Sequence, residues 1–353
     1  MTKKIIFCLR RDYQNIPAGD IVQMEQWKRV LSQLNCDVTI FSGDIREEDM
    51  LDADIVFIWH LERLHESLPF WKIAKKLDKE IWLVPTCWQN NSHLSPLKNI
   101  IEETKLFLRR IFFPHSFSCG EKVSGWSEGR KRLLHESSLL LVNSAAEKQF
   151  LLDQGANEAK VIVIPNTINA VELEKIPQLS PEKRNGIIHV GHFCPRKNQL
   201  KLIKQLKNSG IAVTFIGTAR PMHKLYYALC RKLAGNQHNF AGPLPHSEVL
   251  KLMGQSRLCI SSSTSETPGL SNLEAAVLGC DLLLPDIAPV KEYFGPQVTY
   301  APVDKITAEM LQKILDTPSS DTIRARILAN YTEKQTAELF QNLLNAMRCS
   351  RKG

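Results

Sequence analysis

The sequence contains 353 residues, which is long enough for two domains that each bury a core of their own. Hydrophobic residues make up 43% and charged residues 23%, as is typical of globular proteins, so a disordered or fibrous chain is excluded. The apolar run Ile5–Leu9 is too short for a signal-peptide core or a membrane span, and is therefore expected to form a buried strand.

The nine cysteines are scattered and form no CxxC pair, so neither a disulfide framework nor a zinc site is indicated. They are expected to pack as small apolar side chains in a reducing compartment. The sequence therefore predicts a cytoplasmic protein, with peripheral association at the inner face of a membrane as an option.

The net charge of +8 favours anionic partners. Eight lysines and arginines stand against four glutamates between Pro96 and His135, which gives half of that net charge. Residues 96–113 have a basic amphipathic pattern, typical either of a surface helix packed on its own domain or of a helix lying on an anionic membrane. No nucleic-acid motif accompanies the charge, so nucleic acid is not expected as a partner.

Short apolar runs alternate with helical patterns along the chain. Most of these runs are apolar on both faces, as in parallel strands covered by helices, and the repeated β-α units predict doubly wound sheets. The candidate strands are Lys4–Leu9, Asp37–Phe41, Ile55–Trp59, Ile81–Val84, Leu139–Asn143, Val161–Ile164, Ile187–Val190, Ala212–Ile216, Leu258–Ser261 and Asp281–Leu284.

The β-α pattern restarts after a polar stretch with prolines, residues 169–185. An α/β protein of two Rossmann-like domains is therefore predicted, with residues 1–170 as the first domain, 171–185 as a linker and 186–330 as the second domain. Residues 331–353 are expected to form a C-terminal helix, which in two-domain proteins of this kind often returns to the first domain.

The strongest candidate site lies within residues 263–280, between two strands. Glu266 and Glu274 stand on either side of Gly269, which allows close approach of the backbone. The N–H groups of residues 269–271 would open a helix, where phosphate binds readily. Glu266 would accept hydrogen bonds from sugar hydroxyls and Glu274 from ribose hydroxyls. Alternatively, Ser271 and Glu274 form a capping box that only satisfies the helix end.

A second candidate follows the strand Ile187–Val190, where Gly191 leads into a basic loop that ends at Lys197. Ligands of open α/β sheets bind at this end of the strands, and Arg196 and Lys197 would meet phosphate charge there. A solvated Arg-Lys pair on a loop is the alternative.

These two segments resemble those of the retaining GT-B glycosyltransferases of family four, the group 1 transferases. That family carries a Gly-Arg-x4-Lys loop, matched here by residues 191–197, and an E-x-F-G-L-x-x-x-E segment, matched from Glu266 to Glu274. The resemblance is specific over roughly residues 136–316. It implies two Rossmann-like domains facing a cleft, no metal, no cofactor, and a nucleotide-diphospho-sugar as co-substrate.

By this resemblance Lys197 binds the donor diphosphate, Glu266 and the backbone of residues 269–271 bind the donor sugar and phosphate, and Glu274 binds the ribose. His192 replaces the family's arginine, a departure that weakens the phosphate clamp or transfers its role to Arg196. In the first domain Gly19 matches one glycine of a loop near the diphosphate. There Ala18 replaces a second glycine, and Asp20 is alternatively only a helix N-cap.

Two further segments, Leu141–Glu147 and Val163–Ile168, resemble elements that line the family's cleft. Many members place a histidine of the first domain near the sugar, which makes His60 and His93 candidates, although no motif places either one and a surface or packing histidine is the alternative. The candidate catalytic residues are Glu266 and Lys197. The candidate donor-binding residues are Gly19, Gly191, His192, Arg196, Lys197, Glu266, Gly269, Leu270, Ser271 and Glu274, and the acceptor-side candidates are His60, His93 and Asn143.

The resemblance implies a retaining, metal-independent hexosyltransferase. It would transfer a hexose to a saccharide or lipid-linked acceptor in surface polysaccharide or lipopolysaccharide synthesis. A sugar-nucleotide epimerase or hydrolase of the same fold is one alternative. Another is a non-catalytic sugar-nucleotide-binding protein, suggested by His192 and Ala18. A nicotinamide dehydrogenase is disfavoured because no GxGxxG motif follows the first strand.

Overall fold

The structure is a computed structural model that describes residues 2–14, 19–87, 125–317 and 322–350, with single positions at 100, 101, 104, 107, 108 and 319. The chain divides into two compact units. Unit 1 comprises residues 1–165 and 334–353, and unit 2 comprises residues 166–333. The chain therefore enters unit 2 after Pro165 and returns to unit 1 after Glu333.

Unit 1 is built on a parallel sheet in the order β2-β1-β3-β4-β5-β6. Its strands are β1 (Lys3–Leu9), β2 (Cys36–Ser42), β3 (Ile55–Trp59), β4 (Glu80–Val84), β5 (Leu139–Val142) and β6 (Val161–Val163). Its described helices are α1 (Gly19–Gln33), α2 (Leu64–Lys76), α3 (Gly125–Glu136) and α4 (Ala145–Leu152).

Unit 2 contains a second parallel sheet, in the order β12-β11-β10-β7-β8-β9. Its strands are β7 (Ile187–Val190), β8 (Val213–Ile216), β9 (Asn239–Gly242), β10 (Leu258–Ile260), β11 (Asp281–Leu284) and β12 (Thr299–Tyr300). Its helices are α5 (Ala170–Glu174), α6 (Gln199–Gln205), α7 (Lys224–Ala234), α8 (His246–Gln255), α9 (Leu270–Val277), α10 (Ala288–Phe294), α11 (Ala308–Asp316) and α12 (Thr322–Asn330).

The inner strands are apolar on both faces because each sheet has a hydrophobic core on either side. In β1, Ile5 and Phe7 belong to one core of unit 1, while Ile6 and Cys8 belong to the other. This alternation follows from the period of two along a strand. The predicted α/β fold with two doubly wound domains is confirmed.

The predicted linker of residues 171–185 lies within unit 2 and does not separate the two units. Its first part forms α5, and Leu173 is 3% exposed in the core that also contains Ile188. The polar composition of this stretch reflects the solvent-exposed side of a packed segment.

The last helix, α13 (Glu333–Ser350), belongs to unit 1 from Lys334 onward. Phe340 is completely buried there, and its ring lies edge-on to Trp27 at 5.2 Å between centroids. Leu344 packs in the same core. Among the helices of the described residues, none has the length and apolar character needed to span a membrane.

Candidate active site

The two segments singled out in the sequence meet at one edge of the sheet of unit 2. Strands β7 and β10 are parallel neighbours, so the loops that follow them emerge side by side. Lys197, from the loop after β7, forms an ion pair with Glu266, from the loop after β10. Arg196 Nη1 lies 3.7 Å from the other carboxylate oxygen of Glu266.

Hydrogen bonds to the backbone hold these two loops together. Ser262 Oγ donates to the carbonyl of Lys197 at 2.7 Å, and the N–H of Thr264 donates to the carbonyl of Arg196 at 2.9 Å. In the opposite direction, Arg196 Nη1 donates to the carbonyl of Ser265 at 2.6 Å. The relative positions of Lys197 and Glu266 are therefore set by the backbone as well as by their charges.

Glu266 is a buried carboxylate in a positive environment. Its residue is 4% exposed, and Ser263 Oγ donates to its Oε1 at 2.8 Å. Burial alone would raise the pKa of Glu266, but the charges of Lys197 and Arg196 outweigh burial and hold that pKa below its usual range. Glu266 therefore stays ionised and acts as a hydrogen-bond acceptor.

His189 lies on β7, just before the loop that carries Lys197. It is 2% exposed and was not among the site residues predicted from the sequence. Its Nε2 lies 3.2 Å from Ser262 Oγ. Burial and the charge of Lys197 lower the pKa of His189 to about 3, so the imidazole is neutral. The positive charge at this point of the site comes from Lys197 and Arg196.

Glycines allow the loops after β7 and β8 to approach closely. Gly217, after β8, has φ of +137°, and a Cβ there would lie 2.3 Å from the carbonyl oxygen of Gly191. Thr218 then accepts a hydrogen bond from the N–H of Phe193 at 2.9 Å. His192, half-exposed, lies with Nδ1 3.4 Å from the same Thr218 carbonyl.

The N-terminus of α9 completes this edge. Gly269 is its N-cap, with φ of +86° and no side-chain cap, and the Gly269 carbonyl accepts from the N–H groups of Asn272 and Leu273. The N–H groups of Leu270 and Ser271 precede these first intrahelical bonds and so have no acceptor within the helix. The capping-box alternative is wrong, because Ser271 lies inside the helix and not at its N-cap position.

Glu274 has a different partner from the one that a capping box would give it. Its Oε1 lies 2.9 Å from Nε2 of His246, at the start of α8. The hydrogen bond to Glu274 raises the pKa of His246. His246 was not among the predicted site residues, and only the fold shows that it faces Glu274.

Asn166 is hydrogen-bonded to the loop that carries Glu266. Its Nδ2 donates to the carbonyl of Thr267 at 2.7 Å, and its backbone N–H donates to the hydroxyl of Tyr293 at 2.8 Å. The segment Val163–Ile168 had been related to the family by its sequence, yet Asn166 was not among the predicted site residues.

In unit 1 a charged cluster lies where β1 and β3 end. Asp20 Oδ2 accepts from Arg10 Nε at 2.7 Å and lies 3.1 Å from His60 Nε2. Burial opposes ionisation of Asp20, but His60 and Arg10 prevail and hold the pKa of Asp20 well below its usual range. The N-cap alternative for Asp20 is wrong, since Asp20 lies inside α1.

His60 is held from two sides and has an unusual backbone conformation. Its φ is +72°, and its Nδ1 lies 2.7 Å from Thr86 Oγ1, opposite the contact with Asp20. Gly19 is the exposed first residue of α1 and precedes Asp20 directly. His93 and Ala18 lie outside the described residues, as does most of the segment 96–113.

Asn143, the remaining acceptor-side candidate, is buried at the end of β5. Its backbone N–H donates to Glu147 Oε2 at 2.9 Å, and the N–H of Cys87 donates to Glu147 Oε1 at 2.7 Å. Burial raises the pKa of Glu147 to about 7, although both hydrogen bonds favour its charged form. Glu147 therefore joins the loops after β4 and β5.

Across the described part of the chain, no group of three or more His, Cys, Asp or Glu residues is arranged to hold a metal ion.

Comparison with known proteins relates unit 2 to one family. Residues 171–335 match the family model described as glycosyl transferases group 1. An uncharacterized 41.2 kDa protein in the cps region of Klebsiella pneumoniae is 20% identical over 219 residues. This match covers 58% of the present chain and 60% of that relative.

Three solved structures resemble the fold over nearly the whole chain. Sucrose-phosphate synthase from Thermosynechococcus elongatus has a TM-score of 0.74 at 13% identity, over 99% of this chain and 100% of that one. HepE from Anabaena, solved with UDP and glucose, has a TM-score of 0.71 at 14% identity, over 98% and 100%. The lipopolysaccharide outer core galactosyltransferase WaaB, solved in its apo form, has a TM-score of 0.64 at 13% identity, over 98% and 100%.

At these identities the solved structures establish the fold, and the family match covers the residues that form the site of unit 2. The Lys197 loop, the Glu266 loop and α9 all lie inside the matched range. Residues 171–335 thus match the glycosyl transferases group 1, the family that the resemblance of their motifs predicted.

Proposed function

We propose that this chain is a glycosyltransferase that uses a nucleotide-diphospho-sugar as its donor. The observation that carries the proposal is the ion pair of Lys197 and Glu266, with Arg196 beside it, at the edge where α9 begins. Departure of a nucleoside diphosphate from a sugar adds negative charge to a phosphate oxygen, and fixed cations and N–H groups stabilise that charge. The complex of HepE with UDP and glucose supports a uridine diphosphate sugar as the first donor to test.

In this proposal, different residues of unit 2 bind different parts of the donor. Lys197, Arg196 and the N–H groups of Leu270 and Ser271 bind the diphosphate, where Arg196 supplies the charge that His192 does not. Glu266 accepts hydrogen bonds from hydroxyls of the donor sugar and keeps Lys197 oriented. Glu274 accepts from the ribose hydroxyls.

The reaction is proposed to proceed with retention of the anomeric configuration. The bond from the anomeric carbon to the phosphate oxygen breaks, and its electron pair stays on the diphosphate next to Lys197. The acceptor oxygen forms its bond to the anomeric carbon on the same face, and its proton passes to the departing phosphate oxygen. The cationic residues and the helix N-terminus provide the positive charge at the leaving group, so no metal ion is invoked.

A saccharide or lipid-linked acceptor in surface polysaccharide or lipopolysaccharide synthesis is proposed, with a hexose as the transferred sugar. It is supported by the relative in a cps region and by the fold similarity to WaaB, a lipopolysaccharide galactosyltransferase. His60, fixed between Asp20 and Thr86, and Asn143 are the proposed contacts on the acceptor side. Such substrates imply a cytoplasmic protein that works at the inner face of a membrane.

Calorimetric titration with UDP, GDP and ADP tests the donor site. The wild type should bind one of these and the matching nucleotide sugar. Lys197→Met should weaken binding of the nucleotide by about 10- to 100-fold, and Glu266→Gln should weaken binding of the nucleotide sugar by a similar factor, the range for a hydrogen bond to a charged group. Lys201→Met is the matched control, since Lys201 lies on α6 near Asp304 and does not contact Glu266. Equal affinities for Lys197→Met and Lys201→Met would contradict the assignment.

Incubation with labelled nucleotide sugars separates transfer from its alternatives. A transferase moves label onto saccharide or lipid acceptors only when they are present, and NMR of the product should show the anomeric configuration of the donor. Conversion of the donor in the absence of an acceptor would identify an epimerase or hydrolase. Tight donor binding without any turnover would identify a non-catalytic protein.

A further inference from the structure

Helix α7 and the turn before it expose a line of large aliphatic side chains. Met222 is 80% exposed, Leu225 is 82% exposed and Leu229 is 54% exposed. Their spacing of three and four residues places them on neighbouring turns of one side, while Cys230 and Ala234 face the core. Single exposed apolar residues are ordinary on protein surfaces, but a continuous line of them marks a surface of contact.

This line lies in the most basic part of the molecule. Residues 183–247 contain eleven lysines and arginines and no aspartate or glutamate. Since the whole chain has a net charge of +8, the remaining residues together have a net charge of −3. On α7 itself Lys224, Arg231 and Lys232 are exposed. The apolar line is therefore combined with positive charge only.

The turn before α7 lies next to the donor loops, which are the loops after β7 and β10 that carry Lys197 and Glu266. Ala219 forms a parallel bridge with Phe193, which lies in the loop between Gly191 and Lys197. Met222 follows Ala219 by three residues. The surface and the donor loops are therefore next to each other at the carboxyl edge of the sheet of unit 2.

We propose that α7 and the turn before it bind the surface of an anionic phospholipid membrane. The surface, called the α7 surface below, consists of Met222, Lys224, Leu225, Leu229, Arg231 and Lys232. Aliphatic side chains of a basic helix enter the boundary between headgroups and acyl chains, while the cations meet lipid phosphates. A nucleic acid offers phosphates but no apolar layer for three exposed aliphatic side chains, so the membrane is the better match.

This inference goes beyond the donor chemistry proposed above and does not depend on it. Seating the α7 surface on a bilayer would bring the donor loops of unit 2 to the lipid–water boundary, where lipid-linked acceptors present their sugars. It places a membrane contact in unit 2, in addition to the segment 96–113 that the sequence suggested.

Co-sedimentation with vesicles of phosphatidylcholine and phosphatidylglycerol at a ratio of about 7:3, and of phosphatidylcholine alone, tests the proposal. The full chain should bind the anionic vesicles much more tightly, and added salt should weaken that binding. A triple Gln variant of Lys224, Arg231 and Lys232 should lose affinity by about fivefold per cation, on the order of 100-fold in total. A triple Ser variant of Met222, Leu225 and Leu229 should lose at least about tenfold.

A variant that binds vesicles more tightly than the wild type provides a test that misfolding cannot mimic. Leu225→Trp should bind anionic vesicles several-fold more tightly, because tryptophan is favoured at the membrane interface. Its indole fluorescence should shift to the blue on binding, as compared with the wild type. All α7 variants should keep the melting temperature of the wild type, since the substituted residues are exposed.

Matched controls locate the contact. Leu51→Ser with Val171→Ser removes exposed aliphatic side chains elsewhere, and the triple Gln variant of Lys131, Lys175 and Lys251 removes exposed cations elsewhere. Both controls should bind vesicles like the wild type.

Two results would overturn the proposal. In one, both triple α7 variants bind as the wild type does. In the other, binding is lost only when Lys98, Lys105, Arg109 and Arg110 are changed to Gln, which would assign the contact to the segment 96–113. Absence of nucleotide binding in the titrations above would leave the vesicle result unaffected, so failure of the donor assignment and failure of this proposal are distinguishable.

Discussion

Glu266 shows how a single residue of the site depends on its neighbours. A carboxylate that is 4% exposed stays ionised only because Lys197 and Arg196 lie beside it. Removal of one member of a buried ion pair leaves an uncompensated charge, which is more costly than removal of both. Glu266→Gln keeps the size of the side chain and removes its charge, so this substitution tests binding with less disturbance of the loop than truncation would cause.

Gly217 is a position where a single methyl group is expected to disturb the site. Gly217→Ala should lower the free energy of unfolding by at least about 2 kcal/mol and weaken nucleotide binding, because the added Cβ would clash with the Gly191 carbonyl and displace the Lys197 loop. Thermal unfolding and nucleotide titration measure the two effects.

Gly210→Ala is the control for that experiment. Gly210 also has a positive φ, of +76°, but a Cβ there meets nothing within 4 Å. Its substitution should cost only the backbone strain of about 1–2 kcal/mol and leave nucleotide affinity unchanged. If the two variants bind the nucleotide equally well, the close approach of Gly217 and Gly191 has no role in the site.

Which residues of the site could be predicted depends on whether their role is local. Lys197, Glu266 and Gly269 were predictable because each lies in a continuous motif next to a strand or helix end. Arg10 and Thr86 were not, because Arg10 pairs with Asp20 on α1 and Thr86 pairs with His60 from the loop after a neighbouring strand. Such pairings depend on how separate elements pack, which no local pattern contains.

The same distinction holds for whole elements. The ten predicted strands are present, and most of them are runs of buried apolar residues, whereas β2 alternates between buried and exposed residues. Strand β9 was missed because Asn239 and Ala241 are exposed at the edge of the sheet and the strand ends in a glycine. Strand β12 was missed because it has only two residues. The capping box failed for a related reason, since Gly269 starts α9 earlier in the sequence than the Ser-x-x-Glu pattern requires.

Glu147, which joins the loops after β4 and β5, should make unit 1 sensitive to pH. The unfolded carboxyl loses its proton near the ordinary value of 4.5, whereas the folded one keeps it until about 7. The free energy of unfolding should therefore fall as the pH rises from 4.5 to 7, by about 1.4 kcal/mol per pH unit or on the order of 3 kcal/mol in all, and level off above 7.

Hydrogen-exchange protection of the Cys87 and Asn143 amides, which donate to Glu147, measures this dependence once the intrinsic exchange rate at each pH is divided out. Glu147→Gln should remove the difference between pH 5 and pH 7 that the wild type shows. Glu158→Gln, at an exposed position nearby, should retain it. An unchanged pH dependence in Glu147→Gln would show that its carboxyl is not the group responsible.

At the scale of the whole molecule, the chain crosses between the units twice. The sequence predicted two domains, but it placed the first crossing in a polar stretch that in fact packs on unit 2. Polarity and prolines mark exposure to solvent, and exposure alone does not distinguish a linker from a surface segment. The second crossing lies just before α13, whose apolar face is explained only by the core of unit 1.

Phe340→Ala should destabilise unit 1 and leave unit 2 unaffected. Phe340 is completely buried against Trp27 and Phe57, so its truncation should cost about 3–5 kcal/mol. Hydrogen exchange in strands β3 and β8 reports on the two units separately. Phe340→Leu, which fills most of the same volume, should cost much less. Equal acceleration of exchange in β8 would show that the effect is not confined to unit 1.

The double crossing also has a consequence for how the protein is made. All of residues 166–333 are synthesised before the rest of α13, so the strands of unit 2 are complete in the nascent chain while unit 1 still lacks the helix that covers Trp27 and Phe57. Nascent domains usually finish in order from the amino terminus, and here that order is reversed. The need for chaperones during translation should therefore fall on the half of the chain that is made first.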